Sequence, residues 1–282
     1  MKRYLRDDLA RAWQHPRDPF LAARAQEGEL FREREGRRTL RFEAAGRGYF
    51  MKYHQGVGWW EIVKNGVQLK KPVLGAEQEY RAIHAVAQAG LDTLTVAGFG
   101  VRGANPARRE SFLVTDELAH CVSLEELGER WRHQGRDPVF KRALIERAAG
   151  IVRAMHEAGV NHRDLYLGHF LMPCDAVERA DPNASMYLID LHRSQVRSRV
   201  PERWQVKDLA GLYFSVARFG LTRTDLLRFV QAYSRTTLRS ALENDRGLWR
   251  RVRRAAERVY RRYYEVEPLF PLQFAEHPGK DI

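Results

Sequence analysis

The sequence predicts an α+β fold, with a small antiparallel sheet half followed by a larger helical half. Two observations carry this. Residues 29–54, "ELFREREGRRTLRFEAAGRGYFMKYH", alternate aromatic and β-branched residues with polar ones, around turn signals at Gly36 and Gly46-Arg47-Gly48. From Pro138 onward the pattern is mostly helical, interrupted by its opening stretch and by the short apolar run "SMYLIDL", which reads as a strand ending on Asp190. A chain of 282 residues that is 44% hydrophobic and 11% aromatic can bury a sizeable core, in one large domain or in two lobes around a cleft.

Taken in order, residues 1–28 read as an extension of one or two short helices, interrupted at Pro16 and Pro19. Three strands follow in 29–54, the third being Tyr49–His54 with Lys52 inside it. Residues 55–75 read as irregular. "GAEQEYRAIHAVAQAG" (75–90) spaces its apolar residues as a helix and stops at Gly90. "TLTVAGFGVRG" and "SFLVTDEL" read as two further strands joined by a turn at 103–107. The expected division is an extension over 1–28, a sheet half over 29–118, a helical half over 119–265 and a tail over 266–282.

Forty-eight Lys and Arg against 36 Asp and Glu leave a formal net charge of +12. That balance favours an anionic partner: nucleic acid, a phosphorylated small molecule or an acidic membrane surface. Two cysteines, Cys121 and Cys174, make neither a metal-ligand spacing nor a disulfide framework, as expected in a reducing cytosol. The opening "MKRYLRDDLARAWQ" is charged throughout and lacks the apolar core of a signal peptide. The expectation is a cytoplasmic protein able to lie on a membrane surface.

The residues that carry chemistry form an ordered series. Phosphoryl transfer needs a lysine on the nucleotide phosphates, a carboxylate to hold it, a second to orient the attacking hydroxyl and a third for magnesium. Lys52 lies on the third strand; Glu79 lies on the following helix, with Glu77 as a competitor. His162-Arg163-Asp164 follows a helix ending "MHEAGV", Asp190 ends a short strand, and Asp208 sits near the start of a buried-looking helix. An isolated H-R-D arises by chance in roughly one chain in thirty of this length; the whole series does not.

The order resembles the protein-kinase-like fold, with "HRDLYLGHFL" as catalytic loop and "LIDLHR" where D-F-G would stand. More closely, "GVNHRDLYLGHFLM", "LIDLHRSQ", "RWQVKDLAGLYFS", "GRGYFMKYH" and "PVLGAEQEY" resemble the lipopolysaccharide core heptose kinases, the WaaP type within the lipopolysaccharide and Kdo kinase family. The similarity spans roughly residues 15–265. It implies ATP-dependent phosphorylation of the first heptose of the inner core, at the cytoplasmic face of the inner membrane of a Gram-negative bacterium. The resemblance makes Asp164 the catalytic base, Lys52 the ligand of the α and β phosphates, Glu79 its orienting partner and Asp190 the magnesium ligand. Asp208 would accept backbone hydrogen bonds from the catalytic loop, whose His162 and Arg163 support the site. Glu117, at the end of "SFLVTDEL", completes the candidates for contact with ATP.

Three departures from the general kinase pattern stand out. The nucleotide-covering turn has one glycine, Gly36, so Arg37 and Arg38 are expected to assist by charge. His169 replaces the second-metal Asn; imidazole suits magnesium poorly. The readings are donation to a phosphate oxygen, an empty second metal site, or one that takes manganese. Leu191-His192 replaces Phe-Gly, which predicts a site without an activation switch.

After Asp190, Arg193, Arg197, Arg199 and Arg203 border the expected acceptor site with Tyr166, and favour an anionic lipid A-core acceptor. Trp59 and Trp60 near Lys64, Lys70 and Lys71 suit a membrane interface or packing between the lobes. "LWRRVRRAAERVYRRYY" (248–264) puts Trp249, Val252, Ala256, Val259 and Tyr263 on one helical face, with seven arginines elsewhere that suit anionic lipid or an acidic protein such as acyl carrier protein. Alternative functions are a kinase of Kdo, of another core heptose or of protein tyrosine, and a pseudokinase scaffold. A nucleic-acid-binding module is the reading from another class; it has no recognisable motif and leaves the Lys52–Glu79–Asp164–Asp190 series unexplained.

Overall fold

The computed structural model describes residues 2–34, 36–56, 75–105, 108–135 and 137–265. The tryptophan- and lysine-rich stretch with Trp59, Trp60, Lys64, Lys70 and Lys71, part of the 103–107 turn and the 266–282 tail lie outside them. The chain divides into two compact units: residues 1–84, 94–119 and 191–193, and residues 85–93, 120–190 and 194–282.

The first unit is built on a six-stranded antiparallel sheet. Its strands are β1 (Lys2–Leu5), β2 (Glu29–Arg34), β3 (Arg37–Ala44), β4 (Arg47–Gln55), β5 (Val96–Arg102) and β6 (Glu110–Asp116), in the order β1-β5-β6-β4-β3-β2. The three strands read in 29–54 are present. The two short helices read in 1–28 are present, at Asp7–Ala12 and Pro19–Ala25 with Pro16 between them, and the reading needs correction at two points. Lys2–Leu5 is an edge strand paired with β5, and Pro19 opens helix α2 (Pro19–Ala25) instead of interrupting one. A missing N–H costs nothing at the first helical position, and Asp18 caps the same end by accepting from Phe20 N.

Helix α1 (Asp7–Ala12) and α2 cover one sheet face, where Leu9, Phe20 and Ala23 pack on Leu40, Phe42, Tyr49, Met51, Tyr53, Phe112 and Val114. The strand β5 spelling G-F-G makes room for them. A Cβ on Gly100 would stand 2.5 Å from the Phe112 ring, and one on Gly98 2.7 Å from Leu9 Cδ2. Partly buried ion pairs fasten this layer: Arg6 bonds Asp116 at 2.8 and 2.6 Å, and Arg102 bonds Asp18 and Glu110 at 2.6 and 2.5 Å. Helix α3 (Glu77–Gln88) carries Glu79 toward Lys52, while its Tyr80 stacks on Phe99 of β5 at 3.8 Å.

The second unit is mainly helical. Ser123 and Glu126 form a capping box that starts α4 (Leu124–Gln134). The long α5 (Pro138–Glu157) buries Phe140, Leu144, Val152 and Met155 along one stripe. Short strands complete the frame: β7 (Cys121–Ser123), just before α4, forms one small sheet with β9 (Phe170–Pro173) and β10 (Tyr187–Leu188), and β8 (Val160–Asn161) pairs with β11 (Gln195–Val196). After helix α6 (Cys174–Glu178), the chain completes the unit with α7 (Glu202–Val216), α8 (Arg223–Ser234), α9 (Leu238–Asn244) and α10 (Arg246–Tyr264). On α10 the expected apolar face shifts: Val259 is 39% exposed, and Tyr260 is buried with Val252 and Ala256 against α7. Positions 259 and 260 both lie one turn on from Ala256, on either side of it; the face packed on α7 is the one that includes Tyr260, and Val259 lies at its edge. All seven arginines of the predicted polar face are exposed.

Candidate active site

Each unit carries its own part of the predicted site. In the first, Lys52 Nζ donates to Glu79 Oε1 at 2.7 Å, with the carboxylate almost fully buried. The competitor Glu77 is taken instead by Lys2 at 3.0 Å and Arg81 at 2.7 Å. Strand parity decides which other side chains share the Lys52 face. Thr39 pairs with Lys52 and Arg37 with His54, so Arg37, Thr39 and His54 lie on that face with it. Arg38 lies on the opposite face, where its Nη2 donates to the carbonyls of Ala23, Arg24 and Gln26 at 3.2, 2.9 and 3.1 Å and closes the end of α2. The expectation that Arg38 assists phosphate is therefore corrected. Glu117 accepts from Arg41 Nε at 2.7 Å, and its N–H donates to Gly48 O at 3.0 Å, so its charge serves the sheet.

His54 is a residue that the sequence reading missed. It is 5% exposed, and its Nδ1 has no hydrogen-bond partner. Burial, reinforced by the charges of Arg37, Lys52 and His192, lowers its pKa to about 3, so the ring is neutral. The signal was available: a residue two places after Lys52 in the same strand must share its face.

In the second unit the loop 161–170 is held by its backbone. Fully buried Asp208 accepts from His162 N through Oδ2 and from Arg163 N through Oδ1, both at 2.7 Å. This second bond helps hold Arg163 at a φ of +75°, a conformation that side chains normally avoid. His162 Nε2 donates to Ile189 O at 2.9 Å, which ties the loop to the residue preceding Asp190. Burial lowers the pKa of His162, consistent with a neutral ring. Asp190 itself has a φ of +60°, which Asp tolerates better than most residues.

His169 lies at the centre of this cluster. Its Nδ1 meets Asp164 O at 2.8 Å. A carbonyl only accepts, so Nδ1 carries the proton. Nε2 then faces Asp190 Oδ2 at 3.5 Å, and the ring stacks on His162 with centroids 5.4 Å apart. The His169 N–H donates to Tyr166 O, and its carbonyl accepts from Ile189 N, both at 3.0 Å. Among the described residues no three His, Cys, Asp or Glu side chains gather as a metal cage. Lys207 Nζ lies 3.9 Å from Asp164 Oδ1.

Of the acceptor candidates, Arg197 donates to Asn161 Oδ1 and Gln195 Oε1 and lies over Trp204, as Arg203 does. Arg199 is exposed, Arg193 belongs to the first unit, and Tyr166 is 36% exposed.

The model of the "Lipopolysaccharide kinase (Kdo/WaaP) family" matches residues 22–233. The chain belongs to this family. A lipopolysaccharide core heptose(I) kinase WaaP of Pseudomonas aeruginosa is 49% identical over 262 residues, covering 93% of this chain and 97% of that relative. The Escherichia coli K12 protein of the same name is 44% identical over 258 residues, covering 92% and 97%. A solved structure, "WaaP in complex with acyl carrier protein", superposes with a TM-score of 0.79 at 45% identity, covering 92% of this chain and 100% of that one. The fold is the kinase-like α+β fold, and membership makes the chain a sugar kinase that uses ATP.

Proposed function

We propose that this chain transfers the γ-phosphoryl group of ATP to a hydroxyl of the first heptose of the lipopolysaccharide inner core, peripherally at the cytoplasmic face of the inner membrane. One observation above all supports the reading of the site. Asp208 grips two consecutive N–H groups of the loop, and His169 grips its Asp164 carbonyl, so the Asp164 carboxylate is presented from a fixed backbone.

Asp164 accepts the proton of the sugar hydroxyl as its oxygen attacks the γ-phosphorus; the bond to the bridging β–γ oxygen breaks and ADP leaves. Lys52, oriented by Glu79, binds the α and β phosphates. Arg37 adds charge on the same face. Asp190 is an oxygen donor suited to Mg2+, which typically takes one or two carboxylates plus substrate phosphates. Nε2 of His169 stands 3.5 Å from Asp190 Oδ2, and in the neutral ring it would add a nitrogen donor there, a mixed set that accommodates Mn2+ better than Mg2+. Asp190 would hold such a cation, which would supply charge neutralisation at the substrate phosphates.

An acidic carrier protein is the proposed partner. Its support is the acyl carrier protein in the related complex, together with the exposed arginines of α10. A mainly apolar cavity of about 730 Å³ adds to this; Leu127, Trp131, Leu144, Phe229 and Trp249 line it together with Arg250 and Arg253. Among the described residues no helix is long and apolar enough to cross a membrane, which fits peripheral attachment.

The test supplies ATP and purified dephosphorylated core oligosaccharide. Phosphate on the first heptose is expected; transfer to Kdo, or to protein tyrosine alone, would replace this reading with the corresponding alternative.

A further inference from the structure

Four cations surround one indole, and one of them, Lys207, also lies near Asp164. The guanidinium carbons of Arg163, Arg197 and Arg203 lie 5.4, 5.8 and 5.6 Å from the Trp204 ring centroid, and Lys207 Nζ lies 6.0 Å from it. They arrive from separate segments: Arg163 from the catalytic loop, Arg197 from just after β11, and Arg203 and Lys207 from the first two turns of α7.

A ring attracts each cation weakly, whereas the cations repel one another. Lys207 has Asp164 as a counter-charge, so it is Arg197 and Arg203 that the ring alone does not account for. Arg197 is fixed by the neutral amides of Asn161 and Gln195, which orient its guanidinium without cancelling its charge. Among the described residues neither Arg197 nor Arg203 has a carboxylate partner, and neighbouring Glu202 is engaged by Arg251. Trp204 adds an independent sign: its indole N–H is buried and has no acceptor.

We propose that Trp204, Arg163, Arg197, Arg203 and Lys207 form an anion subsite for the acceptor, which takes a carboxylate or phosphate group carried near the hydroxyl that Asp164 activates. Lys207 fixes the spacing, since its ammonium lies 3.9 Å from Asp164 Oδ1. A flat guanidinium set matches either oxyanion in paired hydrogen bonds. This deepens the kinase reading and rests on it: the acceptor is selected as an anionic sugar, not as a bare polyol.

The experiment uses the full chain with Arg203→Gln, Arg203→Lys as the charge-keeping control, and Trp204→Phe, which keeps the ring and removes the N–H. Arg203 is exposed, so its variants fold. Acceptor KM should rise about tenfold in Arg203→Gln and recover in Arg203→Lys, while KM for ATP stays unchanged. Calorimetric binding of the core oligosaccharide without ATP should weaken in parallel, and this reads the subsite even where no phosphate is transferred. Repeating both with acceptor whose acid-sugar carboxylates are reduced to alcohols, and with acceptor stripped of phosphate, identifies the source: the modification that abolishes the difference between parent and Arg203→Gln removes the recognised group. A rise in KM for ATP instead, an acceptor KM within twofold of the parent, or no binding of core oligosaccharide by the parent would overturn the proposal.

Discussion

His169 has two nitrogens with different tasks. Nδ1–H holds the Asp164 carbonyl, and Nε2 faces Asp190. An asparagine amide reaches the Nδ1 position and a glutamine amide the Nε2 position. If Asp164 is the base, as proposed, His169→Asn should retain more activity than His169→Gln, in which the displacement of that carboxylate should cost on the order of 10²-fold in kcat. Steady-state rates in Mg2+ and in Mn2+ check this; equal activity of the two variants would remove the loop-holding role. His54 offers a second test, through pH. Its folded pKa of about 3 lies below the usual histidine value, so the unfolded chain binds the extra proton at intermediate pH. The stability this ring allows is intact above about pH 6.5 and falls as pH drops from there toward 3. Between pH 7 and 5 the loss from His54 is about 2 kcal/mol, and buried His162 acts in the same direction. His54→Gln should flatten the acid side of a plot of urea midpoint against pH; an unchanged slope would contradict the neutral, buried ring.

At the scale of elements, strand parity separates neighbours that composition treats alike. Arg37 shares the Lys52 face and Arg38 ties down α2. Arg37→Gln should raise KM for ATP severalfold with little change in stability. Arg38→Gln should lower stability by about 1–2 kcal/mol and leave KM for ATP alone. Nucleotide titration and urea unfolding distinguish the two. The same logic applies to α10. Tyr260→Ala should cost about 3 kcal/mol and Val259→Ala less than about 0.5, since only the first side chain is buried.

These elements also show what was legible beforehand. The three strands of 29–54 announced themselves by alternation, and α3 by its helical spacing. The edge strand Lys2–Leu5 did not, because four residues carry too little periodicity and its pairing with β5 is set almost a hundred residues away. The pairing of Lys52 with Glu79 was readable because each sits in a local strand or helix context, and the two meet at 2.7 Å. The Trp204 cluster was not, because its cations converge from loop, strand end and helix only once the chain is folded.

For the molecule as a whole, the kinase family accounts for a basic chain better than composition alone does. The excess of basic residues first admitted nucleic acid as readily as a phosphorylated sugar. Membership of the lipopolysaccharide kinase family decides for the sugar kinase. Some arginines then have places: Arg38 and Arg102 brace the first unit, Arg163, Arg197 and Arg203 gather at Trp204, and α10 presents its own basic face. The most direct measurement is phosphorus NMR of dephosphorylated core oligosaccharide incubated with ATP and the parent protein, with Asp164→Ala as control. A new monoester resonance coupled to the first heptose, absent with Asp164→Ala, is predicted. No resonance with the parent, or the same resonance at the same rate from Asp164→Ala, would contradict it.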